Sequence, residues 1–323
     1  MQRIYSRITG TGRCNPPKIL TNADLEKIMD TTDEWIQTRT GIKQRHVAED
    51  MTTVDMCEVA AKAAMEAAGV SAEDIDCVIV GTTTPDQIFP NPGCLLQERL
   101  GIHGPMAFSL EAACTGFIYA LAVADKFIRC GDVKKALVVG GERITNLLDW
   151  DDRSTAVLFG DGAGAVILEA SEEAGIISTH LHADGKYKDL LYYPAGIGKG
   201  VETFKGEEAQ LRMTGNEVFK TAVKQLGNVV LETLEKNNLQ KSDIDWLIPH
   251  QANMRIIKAT AKKLNMPMER VVQTVQIHGN TSTASVPMAL DVAVRDGRIK
   301  RGETLLLEAF GGGFTWGSAL LVY

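Results

Sequence analysis

Three side chains in well-separated segments have the chemistry for acyl transfer. Cys114 lies in Leu110-Glu111-Ala112-Ala113-Cys114-Thr115-Gly116-Phe117, His250 in Pro249-His250-Gln251-Ala252-Asn253, and Asn280 in His278-Gly279-Asn280-Thr281-Ser282. A thiolate attacks a thioester or amide carbonyl, while an imidazole and a carboxamide donate hydrogen bonds to an oxygen that gains charge in the transition state. These residue types suit a hydrolase and an acyl transferase equally. Small neighbours around Cys114 leave room for a carbonyl to approach. The apolar run Phe117 to Ile128 predicts a largely buried helix ending near Gly131. The thiol then stands at a helix N-terminus, where unpaired N–H groups and the helix dipole are expected to lower its pKa. A lone cysteine among alanines is more often a structural core residue. The histidine and asparagine segments shift that balance toward chemistry.

The elements that position these residues read as an alternation of strands and helices. His250 directly follows the apolar stretch Asp243-Ile244-Asp245-Trp246-Leu247-Ile248, at the strand end from which active-site groups commonly project. The glycine and small hydroxyl residues of His278 to Ser282 predict a sharp turn before another helix. Upstream, a strand is expected from Ile4 to Gly10, a helix from about Asn22, and a capped turn in which Thr31 and Glu34 have capping-box spacing and Gly41 ends the helix. A helix from about Asp55 to Ala68 leads to the buried-strand run Asp74 to Gly81; Ala136 to Gly140 and Ala163 to Glu169 are of the same kind. This order indicates an α/β architecture.

The second half repeats the first. A helix from Val229 to Asn237 precedes Asp243-Ile244-Asp245 as the alanine-rich helix precedes Asp74-Ile75-Asp76, and Phe310-Gly311-Gly312-Gly313 before Ser318 to Val322 echoes Phe159-Gly160-Asp161-Gly162. A duplicated unit with a pseudo-twofold axis is expected, with halves 1–172 and 173–323 and a seam at Glu172 to Gly175. The stretch Asp184 to Gln210 has little periodicity and is expected to form surface loops. Gly160 to Gly164 and Gly196 to Gly200 lack the context or spacing of phosphate loops and read as tight turns or close backbone approaches.

With 323 residues and 45% hydrophobic composition, the chain has ample core for one large or two ordinary domains. No apolar run approaches a membrane span, and the first residues lack a signal-peptide core, so a cytoplasmic location is expected. Six widely spaced cysteines without a C-x-x-C pair suggest reduced thiols rather than a disulfide framework or a zinc site. His180-Leu181-His182 lacks further metal ligands. A net charge of −7 argues against general nucleic-acid binding.

Four separated motifs give the chain a resemblance, throughout its length, to the β-ketoacyl-acyl-carrier-protein synthase III family of the thiolase superfamily. They are Ala112 to Phe117, Pro249 to Asn253, His278 to Ser282, and Glu308-Ala309-Phe310-Gly311-Gly312-Gly313-Phe314-Thr315-Trp316-Gly317. The resemblance implies a five-layered αβαβα thiolase-like fold, a homodimer, and no cofactor, CoA thioester being a substrate. It implies that Cys114 is acylated by an acyl-CoA primer, and that His250 and Asn280 stabilise the enolate formed as malonyl-acyl-carrier protein loses carbon dioxide. The backbone N–H groups of Cys114 and Gly312 would form the oxyanion hole, which would account for the glycines crowding that turn. Elongating relatives use two histidines, so Asn280 supports the initiating class.

Carried over residue by residue, the resemblance makes Trp35 and Arg153 an adenine sandwich and Thr31, Arg39, Gly215, Asn216 and Asn253 further CoA contacts. Phe310 would pack beside Cys114, and Phe89 would reach the partner subunit's acyl pocket. On the helix after His250, Arg255, Lys258 and Lys262 fall on one face with Lys263 beside them, and Lys220 and Lys224 add a second basic pair. Such a stripe suits an acidic acyl carrier protein; a merely solvated helix face would look the same in sequence.

Overall fold

Valine, isoleucine and alanine fill the central strands without polar alternation, because helices cover both faces of each sheet. The computed structural model describes residues 4–206 and 209–323. Among these residues the strands are β1 (Tyr5–Cys14), β2 (Lys18–Thr21), β3 (Gln44–Val47), β4 (Cys77–Gly81), β5 (Met106–Leu110), β6 (Lys135–Glu142), β7 (Gly162–Ser171), β8 (Ile176–Ala183), β9 (Leu191–Tyr192), β10 (Arg212–Met213), β11 (Trp246–Pro249), β12 (Thr304–Gly311) and β13 (Thr315–Val322). The α-helices are α1 (Asn22–Leu25), α2 (Asp33–Thr40), α3 (Thr53–Ala68), α4 (Pro92–Arg99), α5 (Gly116–Cys130), α6 (Gly215–Lys236), α7 (Met254–Leu264), α8 (Val275–His278) and α9 (Ser285–Arg295).

Two mixed sheets carry the fold. The first runs β1-β7-β6-β4-β5 and the second β11-β12-β13-β8. In each, a parallel core adjoins an antiparallel pair: β4 is parallel to β5 and β6, and β11 is parallel to β12. Read backwards, the second sheet repeats the first, and a parallel bridge between Leu247 and Val271 stands where β5 would be. The chain crosses between the sheets after Ser171.

Packing makes this a five-layered, thiolase-like α/β fold. Phe117, Leu121 and Ile128 of α5 and Val286 and Leu290 of α9 lie between Ile79, Val138 and Val166 of one sheet and Leu305, Leu307 and Ala319 of the other. Ala60, Ala61 and Ala64 of α3 cover the outer face of the first sheet. Val230 and Leu234 of α6 with Ile257 of α7 cover the second.

Several elements differ from their sequence reading. β1 continues past Gly10 to Cys14, because its glycines mark a close approach rather than a strand end: a Cβ on Gly12 would meet Ala60 O at 2.2 Å and Ala64 N at 2.5 Å on α3. Helix α2 is capped by Thr32, whose hydroxyl accepts from Trp35 N–H at 3.1 Å, one residue later than expected; Gly41 ends it in the left-handed region at φ 77° as expected. Helix α6 starts at Gly215, well before Val229, since its first turns are largely exposed and hide the apolar period. Helix α5 ends at Gly131, also left-handed, as the sequence indicates.

The β1–α3 contact gives a stability test. Gly12→Ala is expected to cost about 1–3 kcal/mol from overpacking, whereas Gly185→Ala, with nothing within 4 Å of the added carbon, changes little. Urea unfolding of both variants checks this; equal stabilities would contradict the packing argument.

Candidate active site

Cys114 sits in a single 3₁₀ turn, Ala113–Thr115, between β5 and α5. The turn is unusual: Ala113 has φ 46°, a conformation costly for a residue with a side chain, and its N–H donates to Glu111 Oε1 at 2.8 Å. The Thr115 hydroxyl turns to β13, donating to Thr315 O at 3.1 Å. Glycine is required opposite the cysteine at Gly311, where a Cβ would lie 2.6 Å from Cys114 N. At Gly312 the added carbon would instead stand 3.0 Å from Leu191 O. The tight approach to the nucleophile's backbone is therefore made by Gly311.

His250 follows β11 directly, and its N–H donates to Glu308 O at 2.8 Å on the neighbouring strand β12. Its ring Nδ1 lies 2.6 Å from Ser285 Oγ, which also accepts from Gln251 N–H at 3.3 Å. Where the Ser285 hydroxyl donates to Nδ1, the ring's own proton resides on Nε2. Burial pushes the imidazole down to about 3, which keeps it neutral at physiological pH. Asn280 is held by its backbone, its N–H donating to Leu158 O at 2.8 Å and its carbonyl accepting from Gly160 N–H at 3.1 Å. Its Oδ1 accepts from Ser282 N–H at 2.9 Å, leaving the NH₂ group as the free end. Two neutral donors thus border the same cavity as the thiol.

That cavity, about 370 Å³, is lined by Cys114, His250, Asn280 and Phe310 and extends past Leu191, Met213, Phe219 and Arg255 to Trp35 and Arg39. Burial pushes the Cys114 thiol up to about 12, with a hydrogen bond from Ser282 opposing the shift. The expectation of a lowered thiol pKa is thereby corrected. At 7% exposure, the loss of water around sulfur outweighs the helix N-terminus.

The nucleotide-binding expectations fare unevenly. Trp35, Arg39, Gly215, Asn216 and Asn253 line the cavity's outer end. Arg153 lies directly over the Trp35 indole, 5.0 Å from its centroid, with Arg39 at 4.7 Å, so no gap for an adenine is open between Trp35 and Arg153. The Asn253 side chain is already committed as the cap of α7: it accepts from Arg255 N–H at 2.8 Å and donates to Arg39 O at 3.2 Å. Thr31 is buried away from the cavity wall, its hydroxyl without a hydrogen-bond partner. Phe89 is 82% exposed beside exposed Ile88 and does not touch this chain's cavity.

The basic residues form a rim. Arg255, Lys258, Lys262 and Lys263 are exposed on α7, and the Lys263 stem passes close to Gly227 of α6. Arg255 packs its guanidinium over Phe219, 4.7 Å from the ring centroid, at the cavity mouth. Lys220 is partly neutralised by Glu217 at 2.9 Å.

Sequence reasoning passed over four groups. Ser285 and Ser282 orient the two donors, although Ser282 stood within a quoted motif. Glu142, at the end of β6, and Glu308, on β12, are fully buried acids at the ends of apolar runs, which is the signal that was available. Burial raises Glu142 to about 7 and Glu308 to about 8. The Glu308 carboxyl makes no hydrogen bond, and the nearby Thr260 hydroxyl only partly opposes its shift. Among the described residues no cluster of His, Cys, Asp and Glu is arranged to hold a metal ion, and no helix is long and apolar enough to cross a membrane.

A thiol at the start of a helix between two related sheets, with a neutral imidazole and a carboxamide lining the same cavity, suits an acyltransferase of the thiolase-like fold. Residues 108–185 match the family described as 3-oxoacyl-[acyl-carrier-protein (ACP)] synthase III, and residues 234–323 match its C-terminal family. The β-ketoacyl-[acyl-carrier-protein] synthase III of Thioalkalivibrio sulfidiphilus is 65% identical over 318 residues, 98% of this chain and 99% of that one. The crystal structure of the synthase III from Aquifex aeolicus superposes with a TM-score of 0.93 at 47% identity, covering 98% of this chain and 100% of that one. The priming β-ketosynthase of the R1128 polyketide pathway gives a TM-score of 0.95 at 37% identity, covering 99% and 97%. The chain belongs to the β-ketoacyl-acyl-carrier-protein synthase III family, condensing acyltransferases that initiate fatty-acid synthesis.

The buried Glu308 makes stability depend on pH in a definite sense. Its folded pKa lies above the ordinary 4.5, so its ionisation opposes folding increasingly as pH rises from about 4.5 to about 8. Glu308→Gln is therefore expected to lose less stability than the parent protein between pH 5 and pH 8.5 in chemical denaturation. Identical pH dependence would refute the assignment.

Proposed function

We propose that the cavity performs a decarboxylative Claisen condensation of an acyl-CoA primer, acetyl-CoA in the simplest case, with malonyl-acyl-carrier protein. The observation that carries this reading is the meeting of Cys114 with a neutral imidazole, His250, and the oriented Asn280 amide in one cavity. Sulfur attacks the primer thioester and CoA leaves, giving acyl-Cys114. The Cys114 and Gly312 N–H groups hold the tetrahedral oxyanion. Malonyl thioester then enters, and its carbonyl oxygen accepts from His250 and Asn280 as carbon dioxide departs. The resulting carbanion attacks acyl-Cys114, and acetoacetyl-carrier protein leaves with the thiolate restored. A charged imidazole would bind the substrate oxygen too, but a neutral one avoids burying an unpaired cation between turnovers.

Coenzyme A is here a substrate and not a resident cofactor. Its adenine is assigned to Trp35 with Arg153 moved aside, and its pantetheine to the path by Arg39, Gly215, Asn216 and Asn253 toward Cys114, with buried Thr31 left off that path. Phe310 borders the acyl group. The exposed Ile88–Phe89 tip favours a homodimer in which Phe89 closes the partner's acyl pocket. The halves 1–172 and 173–323 then divide the labour, the first supplying the nucleophile and the second the two donors. Carrier protein docks on Lys220, Arg255, Lys258, Lys262 and Lys263, and the reaction is assigned to the cytoplasm, where a CoA thioester and a carrier-protein thioester would meet.

Intact-protein mass after mixing with a panel of acyl-CoAs, followed by malonyl-carrier protein, tests the reading. Acetyl loading on Cys114 and release as acetoacetyl-carrier protein is the expected result; loading of only longer or branched primers would move the enzyme to another pathway. Cys114→Ser abolishes loading, whereas Asn280→Ala retains it and loses decarboxylation by about 10²–10³-fold. Equal loss of both half-reactions in Asn280→Ala would contradict the division of roles. Lys258→Glu is expected to raise KM for malonyl-carrier protein while leaving acyl-CoA loading unchanged, and stopped-flow loading with steady-state kinetics reads both.

A further inference from the structure

The thiol at the centre of this site is buried and protonated, so its proton needs a destination before sulfur can attack. Among the described residues the His250 ring makes its hydrogen bond to Ser285, at 2.6 Å, and none to the Cys114 sulfur. One hydroxyl touches the sulfur: Ser282 Oγ lies 3.5 Å from Cys114 Sγ. The same oxygen lies 3.3 Å from Glu142 Oε1, giving one proton two possible acceptors. Ser282 is fixed there with φ 49° and its N–H on Asn280 Oδ1.

Glu142 is built to change its charge. The Thr83 N–H donates to Oε1 at 3.1 Å, the Thr83 hydroxyl lies 3.0 Å from both oxygens, and the Thr84 hydroxyl donates to Oε2 at 2.6 Å. These donors accommodate a carboxylate. Among the described residues no cationic side chain forms an ion pair with Glu142, so burial opposes the same charge. The other titratable groups around it are Cys57 of α3, Asp86, whose carboxylate is engaged by Thr53 and Val54 N–H groups, and Cys114. Arg143, next in the chain, donates to Glu49 O and not to Glu142.

We propose that Glu142 is a positioning residue that accepts, through the Ser282 hydroxyl, the proton that Cys114 sheds on acylation. The S–H bond breaks as a new Oγ–H bond forms on Ser282, while the original Oγ–H proton passes to Glu142 Oε1. Sulfur's electron pair then attacks the thioester carbonyl, and CoA departs with the electrons of the broken C–S bond. When condensation later expels the Cys114 thiolate, the proton returns by the same two bonds. The free site buries one negative charge, on carboxylate or on sulfur but not on both; that charge leaves with CoA on acylation and returns when condensation expels the Cys114 thiolate. This rests on the proposed role of Cys114 as nucleophile, but its test does not need an acyl donor.

The experiment measures the pH dependence of Cys114 alkylation by iodoacetamide in the full-length protein, followed by peptide mass. In the parent protein the rate is expected to rise with pH and level off above about 7, where Glu142 is ionised. Glu142→Gln and Ser282→Ala are expected to lose that plateau, rise steadily with pH, and react at least about tenfold more slowly at pH 7.5. A plateau retained in Ser282→Ala, at any absolute rate, overturns the relay, even where Glu142→Gln does not fold. Loss of the plateau with no acyl-CoA loading in the parent would uphold the relay and refute the condensing role instead.

Discussion

The site depends on a packing constraint: two helices buried side by side between two sheets must begin at the same place. Helix α5 starts just after Cys114 and α9 just after the turn that carries Asn280 and Ser282. Their N-terminal turns press together, with Thr283 filling the space beside Gly116 and Gly140. Both turns hold a non-glycine residue at positive φ, Ala113 at 46° and Ser282 at 49°. The strain is local, and the five layers above and below over-determine it.

Electrostatics follow from that burial. Removing water raises the thiol, raises the two buried acids and lowers His250, so each group is held in its neutral form more strongly than in solution. Directional hydrogen bonds then decide which neutral form is useful. Ser285 holds the imidazole by its Nδ1 and Ser282 N–H sets the amide rotation, turning the Asn280 NH₂ group toward the cavity. A site of this kind stabilises charge that appears only during reaction, without carrying that charge at rest.

The cavity's outer end is less committed. Arg153 stacks on Trp35 and the Asn253 amide is spent on a helix cap, so nucleotide binding has to rearrange one guanidinium and leaves Asn253 mainly a structural part. The basic rim of α7 is by contrast exposed and continuous with the cavity mouth through Arg255.

What was legible in the sequence was local or periodic. Apolar runs marked the strands, the Cys114 helix with its Gly131 stop was readable from composition, and His250 directly after a strand was readable from order. The repeated element pattern likewise pointed to two sheets of one plan, and four separated motifs carried the family. Tertiary structure decided what depends on distance between segments far apart in the chain. Gly10 read as the end of a strand because nothing local reveals α3 against it. The thiol's pKa was misjudged because the helix N-terminus is a local feature, whereas burial is contributed by strands and loops from the other half. Glu142 and Ser282 lie 140 residues apart, and only folding makes one hydroxyl the neighbour of both carboxylate and sulfur.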